Sequence, residues 1–231
     1  MKNVYLLGDC QSLRLYGYHD HSNKFIDFKM WAQGTANASL WYFDPERYKR
    51  ENLISQAAEK VMFHNPTIIR EPIGFSEITD DGLILSWLGY QDIKFFLPEH
   101  DNAERIAKRY IKDIRKSFPN SSLLVAEPLP QFKELFTAEN TKHSHSYEDR
   151  LIQNDKFCKG LQEACAEYGI ETITQKDMMK FMGLEYLDKS HIENIHDGPD
   201  TDRLDSQYWK KLHALFMKRI YDKLMKESME K

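Results

Sequence analysis

The sequence lacks several features that would assign it to a specialised class of protein. Its 231 residues include only three cysteines, too few for the disulfide framework of a small secreted domain. No run approaches the roughly 20 apolar residues of a membrane-spanning helix, and the first residues do not resemble a signal peptide. The net charge of -4 provides no general attraction to nucleic acid or to an anionic membrane. We therefore expect a cytoplasmic protein that binds neither.

What the chain does contain is typical of a globular protein. Hydrophobic residues make up 41% and charged residues 29% of the sequence, in the usual range for a folded domain. A chain of this length can bury one sizeable core, and no repeat divides it. We predict a single domain over residues 1–231 and leave its oligomeric state open.

Short apolar runs alternate with amphipathic helical patterns along the chain. The runs predict strands at Asn3–Leu7, Phe25–Met30, Leu83–Leu88, Leu123–Glu127 and Ile170–Thr174. The helical patterns fall at Cys10–Tyr16, Pro45–Met62, Asn102–Phe118, Tyr147–Tyr168 and Ser206–Met225. This alternation predicts a three-layer α/β/α sandwich around a mostly parallel sheet of about five strands, with flavodoxin-like topology. Ligand sites in such sheets lie beyond the carboxyl ends of the strands.

The three cysteines fall into two kinds of position. Cys158 and Cys165 lie seven residues apart on one predicted helix, where both would face the same buried side, so we interpret them as structural thiols. Cys10 instead follows a strand and precedes a helix. The amides of a helix N-terminus favour a thiolate, which makes Cys10 a candidate nucleophile.

Three short blocks, in order, resemble those of the SGNH/GDSL hydrolase superfamily. Gly8-Asp9-Cys10 resembles the Gly-Asp-Ser block of that family, with cysteine in the place of the serine nucleophile. Residues 32–40 are similar to the second block, whose glycine corresponds to Gly34. Residues 85–92 resemble the Gly-x-Asn-Asp block, with Gln91 in the position of its asparagine.

This resemblance implies an SGNH-like fold and a nucleophilic role for Cys10. It also implies an oxyanion hole formed by the backbone amides of Cys10 and Gly34 and the side chain of Gln91, with Asp9 and Asp92 in support. Glutamine carries the same amide as asparagine on one extra methylene, so the exchange preserves the donor that an oxyanion requires.

The fourth block of the family is Asp-x-x-His before the final helix, and this sequence offers several alignments to it. Asp188 and His191 match the spacing, but they lie well upstream of the helix that starts at Ser206. His196 is closer to that helix, and we favour it slightly as the base. The candidate carboxylates that would orient the base are Asp188, Asp197 and Asp200. An alignment on the helix start places Arg203 in the histidine position, where arginine cannot act as a base.

Acyl transfer is the activity that this resemblance implies. Cys10 would form a thioester with an acylated carbohydrate or another small acylated substrate, and the acyl group would pass to water or to a second alcohol. The Asp9-Cys10-Gln11 segment is similar to a cysteine-containing SGNH-like group linked to capsular polysaccharide synthesis. Membership of that group would allow a coenzyme A thioester as acyl donor, although no cofactor is required.

The sequence also bears on metal binding and on a non-enzymatic alternative. The acidic residues of segment 197–205 lack the spacing and terminal glutamate of a calcium loop, so we predict no metal site. The alternative to an esterase or acyltransferase is an inactive SGNH-like protein that binds carbohydrate or a protein partner, because a fold does not guarantee its usual chemistry.

Overall fold

A computed structural model of the protein describes residues 2–8, 15, 25–30, 78–79, 82–90, 93, 103–133, 145–191 and 204–229. The strands in these residues are β1 (Lys2–Gly8), β2 (Ile26–Met30), β3 (Leu83–Trp87), β4 (Ser122–Ala126) and β5 (Glu171–Ile173). The helices are α1 (Ala103–Ser117), α2 (Tyr147–Glu167), α3 (Gln175–Met182) and α4 (Ser206–Met229), and a short 3-10 helix spans Lys189–His191.

The five described strands form one parallel sheet in the order β2-β1-β3-β4-β5. Parallel neighbours require crossover connections, and these place helices on the faces of the sheet. The predicted parallel α/β architecture is therefore confirmed, with each of the five predicted strands within one residue of its observed start and end.

Alternate side chains of the strands enter two separate cores. On one face, Leu124 and Ala126 of β4 belong to a cluster with α3 and α4. On the other face, Leu123 and Val125 of the same strand pack with α1 and α2. Because the side chains of a strand alternate between its faces, a nearly continuous apolar run supplies both cores. Two helical layers on one sheet make the three-layer sandwich.

Two details of the helices differ from the sequence prediction. Helix α3 was not predicted, although Thr174 and Asp177 form a capping box at its start and Gly183 ends it in a left-handed conformation. Helix α4 continues to Met229 rather than ending at Met225, and Leu224 is still buried in its last turns. The predicted helices at Cys10–Tyr16 and Pro45–Met62 lie outside the described residues, apart from the buried Leu15.

Within the ranges given above, no helix combines the length and the hydrophobicity needed to cross a bilayer.

Candidate active site

Four neighbouring strands end level with one another at the carboxyl edge of the sheet. Gly8 of β1 pairs with Trp87 of β3, Trp87 with Ala126 of β4, and Ala126 with Ile173 of β5. Cys10 follows Gly8 by two residues and Gln91 follows Trp87 by four. The predicted nucleophile block and the predicted oxyanion block therefore leave adjacent strands at one level, on the edge where α/β folds bind their ligands.

Most of the predicted site residues lie outside the described part of the chain, and their roles remain predictions. They are Asp9, Cys10, Gly34, Gln91, Asp92, His196, Asp197 and Asp200. Of the predicted site, the described residues contain Asp188, His191 and the glycine of the third block, Gly89.

Gly89 occupies a position that requires glycine. Its φ angle is 113°, in a region that side-chain-bearing residues rarely adopt. A Cβ atom there would also lie 2.8 Å from ring atoms of Phe157. The carbonyl of Gly89 accepts a hydrogen bond from the N–H of Ile93 at 3.0 Å, which is the spacing of a helical turn. The third block thus starts with a sharp strand-to-helix junction directly before Gln91.

Trp87, the last residue of β3, connects this junction to the rest of the carboxyl edge. Its indole Nε1 donates to the backbone oxygen of Glu127, 2.8 Å away, just after β4. Its ring lies 6.1 Å from that of Trp209 and 4.6 Å from that of Phe216. The end of β3 is thereby packed against the first turns of α4.

Asp188 and His191 form a carboxylate–imidazole pair. Oδ1 of Asp188 lies 3.0 Å from Nδ1 of His191, and the 3-10 turn brings together residues three apart in the chain. The same Oδ1 accepts hydrogen bonds from the hydroxyl of Ser190 at 2.6 Å and from its N–H at 2.8 Å. The Ser190 hydroxyl, followed by its N–H, holds the pKa of Asp188 below its usual range. The carboxylate is therefore ionised at neutral pH.

The pair lies beside the start of α4, although it precedes that helix by more than a dozen residues in the chain. The N–H of Asp205 donates to the carbonyl of His191 at 2.8 Å, and the Tyr208 ring lies 5.4 Å from the imidazole. On the other side, the N–H of Lys133 donates to the carbonyl of Leu187 at 3.2 Å. The Asp188–His191 pair is thus fixed between α4 and the loop that follows β4.

The structure brings one of the two predicted candidates for the base, His191, close to the start of the final helix. The distance of His191 from Ser206 along the chain argued against it, but the ends of segment 192–203 are joined by the hydrogen bond from Asp205 to His191. In space, Asp188 and His191 satisfy both the spacing of the fourth block and its position before the final helix. His196 lies within segment 192–203, outside the described residues.

Cys158 and Cys165 are buried on α2, as predicted for structural thiols. Burial raises the pKa of Cys158 far above its usual range and that of Cys165 to about 11. A thiolate is the reactive form of cysteine. These two side chains are therefore poor nucleophiles in the folded protein.

Sequence reasoning missed the polar role of Glu127, which it assigned to the end of a strand. The side chain of this residue is buried and the residue is only 2% exposed. Its two carboxylate oxygens accept from the side chain of Gln162 and from the N–H of Gln175 at the start of α3. Burial raises the pKa of this carboxyl group, against the lowering effect of both donors. The sequence did contain one indication of this role, because Glu127 is a charged residue directly after the four apolar residues Leu123–Ala126.

Comparisons with known proteins rest on structure, since no family model and no curated protein matches the sequence. A carbohydrate acetylesterase from Sinorhizobium meliloti is similar with a TM-score of 0.56 and 13% identity, over 96% of this chain and 99% of that one. A member of the lipolytic G-D-S-L family from Veillonella parvula has a TM-score of 0.50 and 11% identity, over 93% and 95%.

A third similar structure is the periplasmic domain of a lipopolysaccharide acetyltransferase from Salmonella ser. Paratyphi A. It has a TM-score of 0.50 and 14% identity, and the match covers 96% of this chain and 84% of that domain. At such low identities these similarities show the fold alone, and they agree with the predicted α/β architecture around a parallel sheet.

Proposed function

We propose that the protein is an acyl-ester hydrolase or O-acyltransferase that acts on a carbohydrate or another small acylated substrate through a thioester at Cys10. The observation that carries this proposal is the 3.0 Å contact between Asp188 and His191, beside the start of α4. The similar structures include a carbohydrate acetylesterase and an acetyltransferase, which supports acyl transfer as the reaction class. We assign the role of base to His191 and that of orienting carboxylate to Asp188.

The proposed reaction has two steps. In the first, His191 accepts the proton of the Cys10 thiol and the sulfur attacks the ester carbonyl; the C–S bond forms, the C–O bond breaks, and the departing alkoxide takes that proton from His191. In the second, His191 removes a proton from water or from an acceptor alcohol, whose oxygen attacks the thioester; the C–S bond breaks and the released Cys10 sulfur takes that proton from His191. Water gives a hydrolase, and a sugar hydroxyl gives an acyltransferase.

In both steps, attack on the carbonyl carbon places a negative charge on the carbonyl oxygen, which hydrogen-bond donors must stabilise. The backbone amides of Cys10 and Gly34 and the side chain of Gln91 are the proposed donors to it. The sharp turn at Gly89, with its φ of 113°, supports a fixed position for the residues that follow β3. A coenzyme A thioester remains a proposed acyl donor for the transferase form of the reaction.

Differential thiol labelling tests the nucleophile. Treatment of the native protein with iodoacetamide, followed by peptide mass spectrometry, should modify Cys10 first and leave Cys158 and Cys165 largely unmodified, because burial raises the pKa of both. In a separate, unalkylated sample, p-nitrophenyl acetate should release nitrophenol, and acid quenching during turnover should leave an acetyl group on the Cys10 peptide.

Variants at two of the cysteines complete this test. Cys10→Ala should abolish the acetyl adduct and the turnover, whereas Cys158→Ala, a buried thiol on α2, should retain both. Equal and slow labelling of all three cysteines, with no acetyl adduct, would contradict the proposal. That result would favour an inactive SGNH-like protein that binds carbohydrate or a protein partner.

A further inference from the structure

The imidazole of His191 has two competing partners at the same ring nitrogen. Nδ1 lies 3.0 Å from Oδ1 of Asp188 and 3.2 Å from the backbone N–H of Asp188, which points at it. A neutral imidazole carries one proton, so Nδ1 either donates to the carboxylate or accepts from the N–H. The two arrangements correspond to the two tautomers of the ring.

Only one of these tautomers can serve as a base toward a nucleophile or a water molecule. When Nδ1 carries the proton and donates to Asp188, the lone pair of Nε2 is available to accept a proton. When Nδ1 accepts from the N–H of Asp188, the proton is on Nε2 and that nitrogen can only donate. The position of the Asp188 carboxylate therefore decides whether His191 is competent as a base.

Ser190 fixes that carboxylate. Its hydroxyl lies 2.6 Å and its N–H 2.8 Å from Oδ1 of Asp188, the same oxygen that faces Nδ1 of His191. Rotation of the carboxylate away from the imidazole would break both of these hydrogen bonds at once. The backbone N–H of Asp188 would then be the remaining partner of Nδ1.

We propose that Ser190 is a positioning residue that keeps His191 in the tautomer able to accept a proton, by holding the Asp188 carboxylate against Nδ1. This inference rests on the proposed function, in which His191 is the base. The lowered pKa of Asp188, to which the Ser190 hydroxyl contributes most, is consistent with it.

The other groups around the pair come from two further elements. Tyr186 lies 6.2 Å from the imidazole, ring to ring, and Tyr208 of α4 lies 5.4 Å from it. Lys211 of α4 lies over the Tyr208 ring, and its Nζ donates to the carbonyl of Met182.

The nearby charged residues have other partners. The carboxylate of Asp205 accepts from the N–H of Gln207, and Lys133 donates its backbone N–H to the carbonyl of Leu187. Among these described neighbours, Asp188 is the carboxylate in contact with the imidazole.

The tautomer can be measured directly, without substrate. Nitrogen-15 NMR of histidine-labelled protein distinguishes a protonated Nδ1 from a protonated Nε2, and a pH titration of the same signals reports the ionisation of Asp188. In Ser190→Ala we expect a smaller fraction of the Nδ1-protonated tautomer, an Asp188 pKa moved up toward its usual value, and about a tenfold loss of kcat with KM unchanged. Ser190→Thr retains the hydroxyl and should restore all three.

Matched variants separate this effect from a general loss of structure. Ser228→Ala removes a hydroxyl that donates to the carbonyl of Leu224 near the end of α4, and it should leave the His191 signals unchanged. An unaltered tautomer ratio and Asp188 titration in Ser190→Ala would overturn the inference. If Cys10→Ala retained full turnover, the proposed function would fail, whereas the NMR result on Ser190 would stand independently.

Discussion

The two faces of the sheet use their polar groups in different ways. On the face covered by α1 and α2, the buried hydroxyls of Ser86 and Tyr110 are hydrogen-bonded to each other within the core. Outside that core, Lys108 and Lys159 link Glu104 of α1 to Glu163 of α2. These contacts join one element of the fold to another, and none of them involves a predicted site residue.

On the face covered by α3 and α4, some polar contacts join α4 to α3 and to the first residues of β4 and β5, and others lie at the carboxyl edge. Trp87 and Glu127 join the ends of β3 and β4, and Asp205 joins the start of α4 to His191. The two faces therefore differ in one respect: both have polar contacts that join their helices, but only the second has described contacts that also hold the proposed base in place. Damage to the first should reduce stability, and damage to the second should reduce activity.

Removal of the imidazole should give the largest effect. His191→Ala should lower kcat for a p-nitrophenyl ester by about 100- to 10,000-fold, because general acid–base catalysis contributes in that range, with little change in melting temperature. Steady-state kinetics and thermal unfolding measure the two quantities. Adding Asp188→Asn to this variant should cost little more, because the two residues act as a unit.

A remote ion pair provides the control for that experiment. Asp222 pairs with Lys218 at 2.7 Å on the exposed side of α4, and Asp222→Asn should leave kcat unchanged. A similar loss of activity in this variant, or full activity in His191→Ala, would show that the comparison between the two faces is wrong.

Gly160 of α2, which faces the backbone of α1 at Glu104, tests the other face. A Cβ atom at this position would lie 2.5 Å from the carbonyl oxygen of Glu104 and 2.8 Å from its Cα. Backbone atoms of a helix cannot move aside cheaply, so Gly160→Ala should lower the free energy of unfolding by about 1–3 kcal/mol. Urea denaturation measures this, and kcat of the folded enzyme should be retained. Lys156→Ala, on the exposed side of the same helix, should have no comparable effect.

A smaller loss is expected at the start of α2. The hydroxyl of Ser146 accepts from the N–H of Asp149 at 3.1 Å and caps the helix. Ser146→Ala should cost about 1 kcal/mol in the free energy of unfolding, while Ser146→Asn, another good capping residue, should cost far less. Equal losses in the two variants, measured by thermal unfolding, would contradict the assigned cap.

The smallest expected effect is a pH dependence at Glu127. Its folded pKa is raised by burial, so the folded state holds this proton more tightly than the unfolded state does. The contribution of Glu127 to stability is complete below its unfolded pKa and is lost as pH rises through its folded pKa. Glu127→Gln should remove that component of the slope. Urea denaturation at several pH values measures it, and an unchanged slope in Glu127→Gln would contradict this assignment.

Much of the fold could be predicted because local pattern and tertiary structure agree there. The run Leu123–Ala126 contributes to both cores. A strand that is buried on both faces is a nearly continuous apolar run in the sequence, so the run itself predicts the strand. Helix α3 was harder, since its eight residues form a short amphipathic segment. The capping signal at Thr174 and Asp177 was nevertheless present in the sequence.

The site was less predictable because its decisive contacts are tertiary. The spacing of Asp188 and His191 was visible, but no local pattern shows that the N–H of Asp205 reaches the carbonyl of His191. Distance along the chain was therefore a poor guide to distance in space. The burial of Glu127 depends in the same way on Gln162 and Gln175, which come from two other elements.

The level row formed by Gly8, Trp87, Ala126 and Ile173 has a consequence for engineering. Each segment that leaves this row starts from a position already fixed by ladder hydrogen bonds to its neighbours. Loops on such a rigid scaffold tolerate changes of length and sequence. Changes in the segments that leave Ala126 and Ile173 should therefore alter which substrates are accepted, provided that the contacts of Glu127 and the cap of α3 are kept, while the exit points of the nucleophile and oxyanion blocks stay in register.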